Sequence, residues 1–144
     1  MGNKNYVLAD SEFQPILEQL FHENLKKIEA GEEHLPINVE PSRIICLRLT
    51  SGGGKKIAYV KPIRGEYRLL TEKRYFLVIC DDQFNGLDNN KKKWVLAHEY
   101  IHAFFDEEKQ DYVTRPHDLE DFSFILNDPT PNVSLFKNIK YEEK

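Results

Sequence analysis

Two histidines and a glutamate stand in the segment His98-Glu99-Tyr100-Ile101-His102, where their types and spacing suit metal chemistry. On a helix, residues four apart lie one turn above each other, so both imidazoles can face one ion while Glu99 stands beside it. Zinc accepts neutral imidazole nitrogen at about 2.0–2.1 Å, and a catalytic site takes three protein ligands and leaves the fourth position to water. The bare pattern is expected about 0.02 times by chance in a chain of this composition. We therefore interpret it as a zinc site.

A third zinc ligand has to come from elsewhere in the chain. His117 is our first choice, because it stands at the start of the next predicted helix. Glu120, one turn further along that helix, is the competitor and would make a His-His-Glu site. Asp121 is a weaker third option, and Asp118 is better suited to orienting a histidine from behind the site. The sequence alone leaves the choice between His117 and Glu120 open.

Three helical patterns position these residues. Apolar residues spaced three and four apart predict a packing helix over 11–30, an active-site helix over 91–105 and a third helix over 116–127. Asp10 or Ser11 is predicted to cap the first helix, and Asp88 or Asn89 the second. The acidic stretch 106–111 is expected to be irregular, and residues 129–144 are expected to form a loosely packed tail.

Three β-rich runs stand between the first two helices. Turn residues bound predicted strands over 43–49, 57–63 and 68–80, the last of which is interrupted near 71–73. The segment 51–56 is interpreted as a hairpin loop, because a phosphate-binding loop requires a different glycine spacing and a following helix. We expect an α+β domain with a small, mainly antiparallel sheet of three or four strands, an N-terminal packing helix and the active-site helix.

Two sequence segments resemble a known family. Val-Leu-Ala-His-Glu-Tyr-Ile-His at 95–102 and Arg-Pro-His-Asp-Leu-Glu-Asp-Phe at 115–122 together resemble the phage metallopeptidases, small zincin-like proteins encoded in phages and prophages. The layout is also similar to the SprT-like and WLM minimal zincins, in which a short sheet leads into the His-Glu-x-x-His helix and a later histidine completes the site. In those relatives a glycine usually follows the later histidine, whereas Asp118 stands there in this chain.

The resemblance implies a zincin-like minimal metalloprotease domain with one zinc ion per chain. It implies peptide-bond hydrolysis with His98, His102 and His117 as ligands and Glu99 as general base. Zinc lowers the pKa of water toward about 7 and polarises a carbonyl. Glu99 is then expected to take the proton of that water and to deliver it to the leaving amine.

Two alternatives stay open. The ImmA/IrrE-type peptidases, which cleave phage or stress repressors, use a glutamate as third ligand ahead of a helix that contains phenylalanine, and Glu120-Asp-Phe-Ser-Phe124 is similar to that pattern. The other alternative is a non-catalytic binding protein that keeps the fold. Glu99 favours catalysis, because a binding domain needs no general base at that position.

Substrate contacts can also be proposed from the sequence. Tyr112 and Arg115 lie after the motif and are candidates for stabilising the oxyanion, although packing and solvation explain both residues at least as well. The predicted strand over 75–80 precedes the active-site helix and could pair with an extended substrate by strand addition.

Length and composition restrict the class of protein. We expect residues 1–144 to form one domain. The net charge of -4 lacks the basic excess of a nucleic-acid module, so the expected partner is a protein or peptide substrate. No run approaches the 18 or so apolar residues that cross a membrane, and no apolar run follows the start, so we expect a cytoplasmic protein with no membrane role. Cys46 and Cys80 lie in apolar strand-like runs and are interpreted as reduced core residues.

Overall fold

The computed structural model describes residues 5–114 of the chain. The main element of this part is a four-stranded sheet. Its strands are β1 (Tyr6–Leu8), β2 (Ile44–Leu49), β3 (Ala58–Pro62) and β4 (Tyr75–Cys80). The strand order is β1-β2-β4-β3, with β2 and β4 parallel and each outer strand antiparallel to its neighbour. The prediction of a small, mainly antiparallel sheet is confirmed.

The connection after β2 differs from the prediction. Residues 51–56 are not a hairpin loop, because β4 lies between β2 and β3 and the chain has to cross it. Gly53 in this connection lies directly against Cys80, where a Cβ built on Gly53 would be only 2.9 Å from the Cys80 Cβ. The sheet also includes β1, a short exposed strand of three residues that the sequence analysis did not predict.

The first helix, α1 (Asp10–Glu29), packs one apolar face against the core, as the spacing of its apolar residues predicts. The buried residues of α1 are Phe13, Ile16, Leu17, Leu20 and Asn24. Neither predicted cap residue acts as a cap, since the N-cap is Ala9 and no side chain caps the helix. Asp10 instead accepts a 2.7 Å hydrogen bond at its Oδ1 from the backbone N–H of Cys46, which joins the start of α1 to β2.

The long β-rich run over 68–80 forms a strand only in its second half. Gly65–Leu69 is a 3-10 turn that Gly65 enters with a φ of 63°, a backbone conformation that glycine adopts without a Cβ penalty. The expected interruption near 71–73 is confirmed, and β4 begins at Tyr75. Alternate residues of β4 pack on opposite faces of the sheet: Leu77 lies on the helix side, and Val78 lies in a small apolar cluster on the other side.

The site helix, α3 (Asn89–His102), packs with α1 on one face of the sheet. The short helix α2 (Asp81–Phe84) joins β4 to α3 and contributes Phe84 to the same core. The described residues therefore form an α+β arrangement of one sheet layer and one helix layer, which confirms the predicted fold class. Among residues 5–114, no helix has the length and apolar character to cross a membrane.

The active-site helix ends earlier than its apolar pattern predicts. After His102 the backbone is extended, and Ala103–Asp106 forms β5, which pairs antiparallel with β6 (Asp111–Thr114). The acidic stretch expected to be irregular closes this hairpin, with Gln110 at a φ of 50°. The predicted helix over 116–127 and the tail over 129–144 lie outside the described residues.

Candidate metal centre

The helix that carries the motif is fixed near both ends. Asp88 precedes α3 and accepts a 2.8 Å hydrogen bond at its Oδ1 from the backbone N–H of Lys91, so one of the two predicted cap residues is confirmed. Near the other end, the hydroxyl of the fully buried Tyr100 donates to the backbone carbonyl of Val39. These contacts restrict both the position and the rotation of α3.

His98, Glu99 and His102 form one cluster at the C-terminal end of α3. Each of the three residues offers a ligand atom, and these atoms all lie within 4.8 Å of one another. The two imidazole ring centroids are 4.9 Å apart, with their planes at 66°. The sequence prediction that the motif places these three side chains together is confirmed by this geometry.

The cluster is largely removed from solvent. Glu99 is only 8% exposed and His102 only 6%, while His98 is half-buried. Burial raises the pKa of the Glu99 carboxyl to about 8, because the charged form loses its hydration. A cation held beside Glu99 would favour the ionised carboxylate and so oppose this effect of burial.

The chemistry of the donor set fits a divalent transition metal. Two imidazoles and a carboxylate on adjacent helical turns supply nitrogen and oxygen donors of the kind that zinc accepts. A catalytic zinc site with two histidine ligands needs a third protein ligand. In this motif the glutamate would lie beside the ion as a base and would not serve as that ligand. The described residues therefore supply two candidate ligands, His98 and His102, and one neighbouring carboxylate, Glu99.

The segment that follows His102 is held by Tyr75 and Asn38. The Tyr75 hydroxyl lies 3.0 Å from the Phe104 carbonyl and 2.6 Å from the Val113 carbonyl, and it accepts a 3.2 Å hydrogen bond from the Phe104 N–H. The Asn38 amide bonds both backbone groups of Phe105, each at 2.9 Å. These contacts explain why the chain leaves the helix at His102 instead of continuing to Phe105.

A known protein family covers nearly the whole chain. The profile of the family described as "Putative phage metallopeptidase" matches residues 6–140. The chain belongs to this family. The match confirms the resemblance that the two motifs indicated, and it extends over both of them. No match was found among curated proteins or among solved structures.

Membership in a phage metallopeptidase family gives the described cluster a specific meaning. The family description names a peptidase that depends on a metal, and His98, Glu99 and His102 are a group that could hold a metal ion. The candidates for the third ligand, His117 and Glu120, lie outside the described residues, as do Asp118 and Asp121. The identity of the third ligand therefore stays a prediction.

The remaining predicted site residues divide in the same way. Arg115 lies outside the described residues. Tyr112 lies in β6, and its ring packs against Phe105 at 4.9 Å and against Tyr75 at 6.1 Å between centroids. These contacts account for Tyr112 as a packing residue of the hairpin. Cys46 and Cys80 are buried and not joined in a disulfide, as predicted.

Sequence reasoning missed three residues that contact the candidate site or the segment directly after it. Tyr75 and Asn38 are remote in sequence from the segment that they hold, and no local pattern indicates their contacts. Trp94 lies within the predicted active-site helix over 91–105, and its ring centroid is 5.0 Å from that of His98. The spacing of four residues on a helix was the signal that could have identified this pair.

Proposed function

We propose that this chain is a zinc-dependent metallopeptidase that hydrolyses peptide bonds and is of phage or prophage origin. The observation that carries the proposal is the grouping of His98, Glu99 and His102 ligand atoms within 4.8 Å in a member of a phage metallopeptidase family. The low exposure of Glu99 and His102 adds support, because electrostatic interactions are stronger in a site that excludes water. The expected substrate is a protein or a peptide.

His98, His102 and a third residue would hold the zinc ion. His117 remains our choice for the third ligand, and Glu120 is the alternative that would make the centre similar to the repressor-cleaving peptidases. Both residues belong to the segment that the family profile matches. Glutamate is negatively charged at neutral pH, whereas a histidine ligand is neutral. The choice therefore changes the net charge of the centre and the Lewis acidity of a bound zinc ion.

The proposed chemistry assigns Glu99 to proton transfer. When bound, zinc supplies Lewis acidity that lowers the pKa of water toward about 7 and polarises the scissile carbonyl. The Glu99 carboxylate takes one proton from the attacking water while the water oxygen forms a bond to the carbonyl carbon. Glu99 then gives that proton to the amide nitrogen as the carbon–nitrogen bond breaks, so the products are a free carboxyl and an amine. The apolar neighbours of the site on α3 exclude competing water.

The arrangement of the described strands restricts where a substrate strand could pair with the sheet. Strand addition to β4 is ruled out, because both of its edges are already paired with β2 and β3. Within residues 5–114, β3 is an outer strand whose ladder partner is β4, and it also contacts α3 and β6. We propose that an extended peptide lies along the outer edge of β3, where backbone hydrogen bonds hold it without regard to its side chains.

Metal content and cleavage of a peptide library test the proposed function together. Untagged wild-type protein should hold about one zinc per chain, and this zinc should be lost in His98→Ala. Glu99→Gln should keep the zinc and lose peptide cleavage by at least about 100-fold, because it removes the general base. Loss of zinc in His117→Ala but not in Glu120→Ala would support the three-histidine centre, and the reverse would support the His-His-Glu centre.

Two outcomes would overturn the proposal. Wild-type protein that stays free of metal after zinc reconstitution would exclude the metal centre. Stoichiometric zinc with no cleavage of any peptide, and no effect of Glu99→Gln, would instead favour a binding protein that keeps the fold of its family.

A further inference from the structure

Three aromatic rings follow one another along α3, at Trp94, His98 and His102. The centroids of the Trp94 and His98 rings are 5.0 Å apart and their planes meet at 34°. The next pair, His98 and His102, has a centroid distance of 4.9 Å and an angle of 66°. The spacing of four residues places each ring about one turn from the next. The imidazole of His98 therefore lies between an indole and a second imidazole.

The two contacts restrict different movements of the His98 ring. The indole and imidazole planes are tilted by 34° with their centroids 5.0 Å apart, a distance at which aromatic pairs interact favourably. Rotation of His98 about its χ2 angle, which is otherwise a soft torsion, would disturb this ring contact. The edge contact with His102 limits the ring on its other side. Trp94 itself is half-buried and packs against the main core, so it is a fixed surface rather than a mobile one.

We propose that Trp94 is a positioning residue, whose indole holds the His98 imidazole in the orientation in which it shares one metal ion with His102. The inference rests on the proposed metal centre and adds a role to a residue outside the ligand set. Residues that orient a ligand typically contribute a factor of about 10–100 to metal affinity. Trp94 differs from the usual orienting residue because it acts through a contact between two aromatic rings.

A purely structural role for Trp94 makes a different prediction. In that case a smaller apolar side chain would lower the stability of the fold and leave the metal affinity of the folded protein unchanged. A matched control residue is Phe76, which is also aromatic and half-buried but lies on the opposite face of the sheet from α3. The pair Trp94→Leu and Phe76→Leu therefore separates positioning of His98 from loss of aromatic packing.

The test compares zinc affinity in the intact chain, measured by competition with a chromogenic chelator. Trp94→Leu should bind zinc about 10–100-fold more weakly than wild type, whereas Phe76→Leu should match wild type. Trp94→Phe keeps an aromatic face and should restore affinity to within about threefold of wild type. The visible absorption of the Co²⁺-substituted protein should change in Trp94→Leu alone, because its intensity reports the ligand geometry. Equal zinc affinity in wild type and Trp94→Leu would overturn the positioning role while leaving the metal centre intact.

A second measurement needs no variant and no metal. In wild-type protein, the carbon-bound ring protons of His98 should resonate upfield of those of the exposed His34, because the indole ring centroid is only 5.0 Å from that of His98. Coincident shifts for the two histidines would contradict this ring contact. Absence of zinc binding in wild type would reject the metal centre itself, which distinguishes failure of the proposed function from failure of this inference.

Discussion

The hydroxyl of Tyr75 is predicted to stabilise the hairpin that directly follows His102. Tyr75 is fully buried, and its hydroxyl reaches the carbonyls of Phe104 and Val113 and accepts the N–H of Phe104. Tyr75→Phe removes one oxygen and keeps the ring, so it leaves the packing volume almost unchanged. The substitution removes the donor to a carbonyl and the acceptor of an N–H in a partly buried place.

The expected loss follows from these two interactions. Each hydrogen bond contributes about 0.5–1.5 kcal/mol net, so Tyr75→Phe should lower the free energy of unfolding by about 2 kcal/mol. For a chain of this length, that corresponds to a fall in Tm of about 6–10 °C. Urea denaturation at pH 7 measures the loss directly, and an unchanged m value would show that the unfolded state is unaffected.

A matched control makes the prediction specific. Tyr67 is 64% exposed, and Tyr67→Phe should change the free energy of unfolding by less than about 0.5 kcal/mol. If Tyr75→Phe lost no more than this control, the assignment of the hydroxyl as the anchor of the hairpin would be refuted. Faster amide exchange in β5 and β6 of Tyr75→Phe would locate the loss in the hairpin.

The same hydroxyl gives the prediction a pH dependence. Burial is the largest cause that raises the pKa of Tyr75, to about 12 from its ordinary value near 10. Because the folded-state pKa exceeds the unfolded one, the unfolded chain loses this proton first, and wild-type stability falls as the pH rises from about 10 toward 12. Tyr75→Phe lacks this group, so the stability difference between wild type and variant should narrow by about 1 kcal/mol between pH 9 and pH 11. A constant difference over that range would contradict the buried hydroxyl.

Three further substitutions test contacts that position the site. Gly53→Ala should cost about 1–3 kcal/mol of stability by urea denaturation, because its Cβ would lie 2.9 Å from that of Cys80 and one of the two segments would have to shift; a neutral result would show that the connection shifts without cost. Asp88→Ala should cost about 1 kcal/mol through loss of the cap of α3, whereas Asn89→Ala, the rejected cap candidate, should cost less than about half of that in the same assay. Arg48→Met removes the guanidinium that pairs with the carboxylates of both Glu12 and Asp81 in a half-buried place and should cost about 2 kcal/mol, discounted for partial exposure. Adding Asp81→Asn to Arg48→Met should recover part of that loss in thermal unfolding, because it removes one of the two negative charges near position 48. If stability does not recover, repulsion between the two carboxylates is not the cause of the loss.

The local sequence pattern was sufficient to predict the helices that contain most of the candidate site and its support. The apolar stripe of α1 and the motif of α3 both depend on helical spacing, which a single chain segment records. The cluster of His98, Glu99 and His102 follows from that same spacing, since residues one turn apart meet wherever the helix is placed. These parts of the fold and of the candidate site were predictable because their geometry is local.

Features that depend on distant partners were predicted poorly. The apolar spacing continues through Phe104 and Phe105, yet α3 ends at His102 because Tyr75, Asn38 and β6 bind the backbone beyond it. The interpretation of residues 51–56 as a hairpin loop was wrong for a related reason. The apolar pattern of a strand predicts which of its residues are buried, but it does not predict which other strand pairs with that strand.

The sequence by itself determined the fold class, the motif of the metal centre and its resemblance to phage metallopeptidases. Helical spacing and donor chemistry are properties of residue types and short intervals, so they can be read without a structure. Only the tertiary structure decided the order of the described strands, the position of β3 at the edge of their sheet and the contact of the Trp94 ring with His98. Those features depend on which side chains and backbone groups come into contact when the chain folds. The free energy of such contacts depends on segments that are remote in sequence, so a local pattern does not predict them.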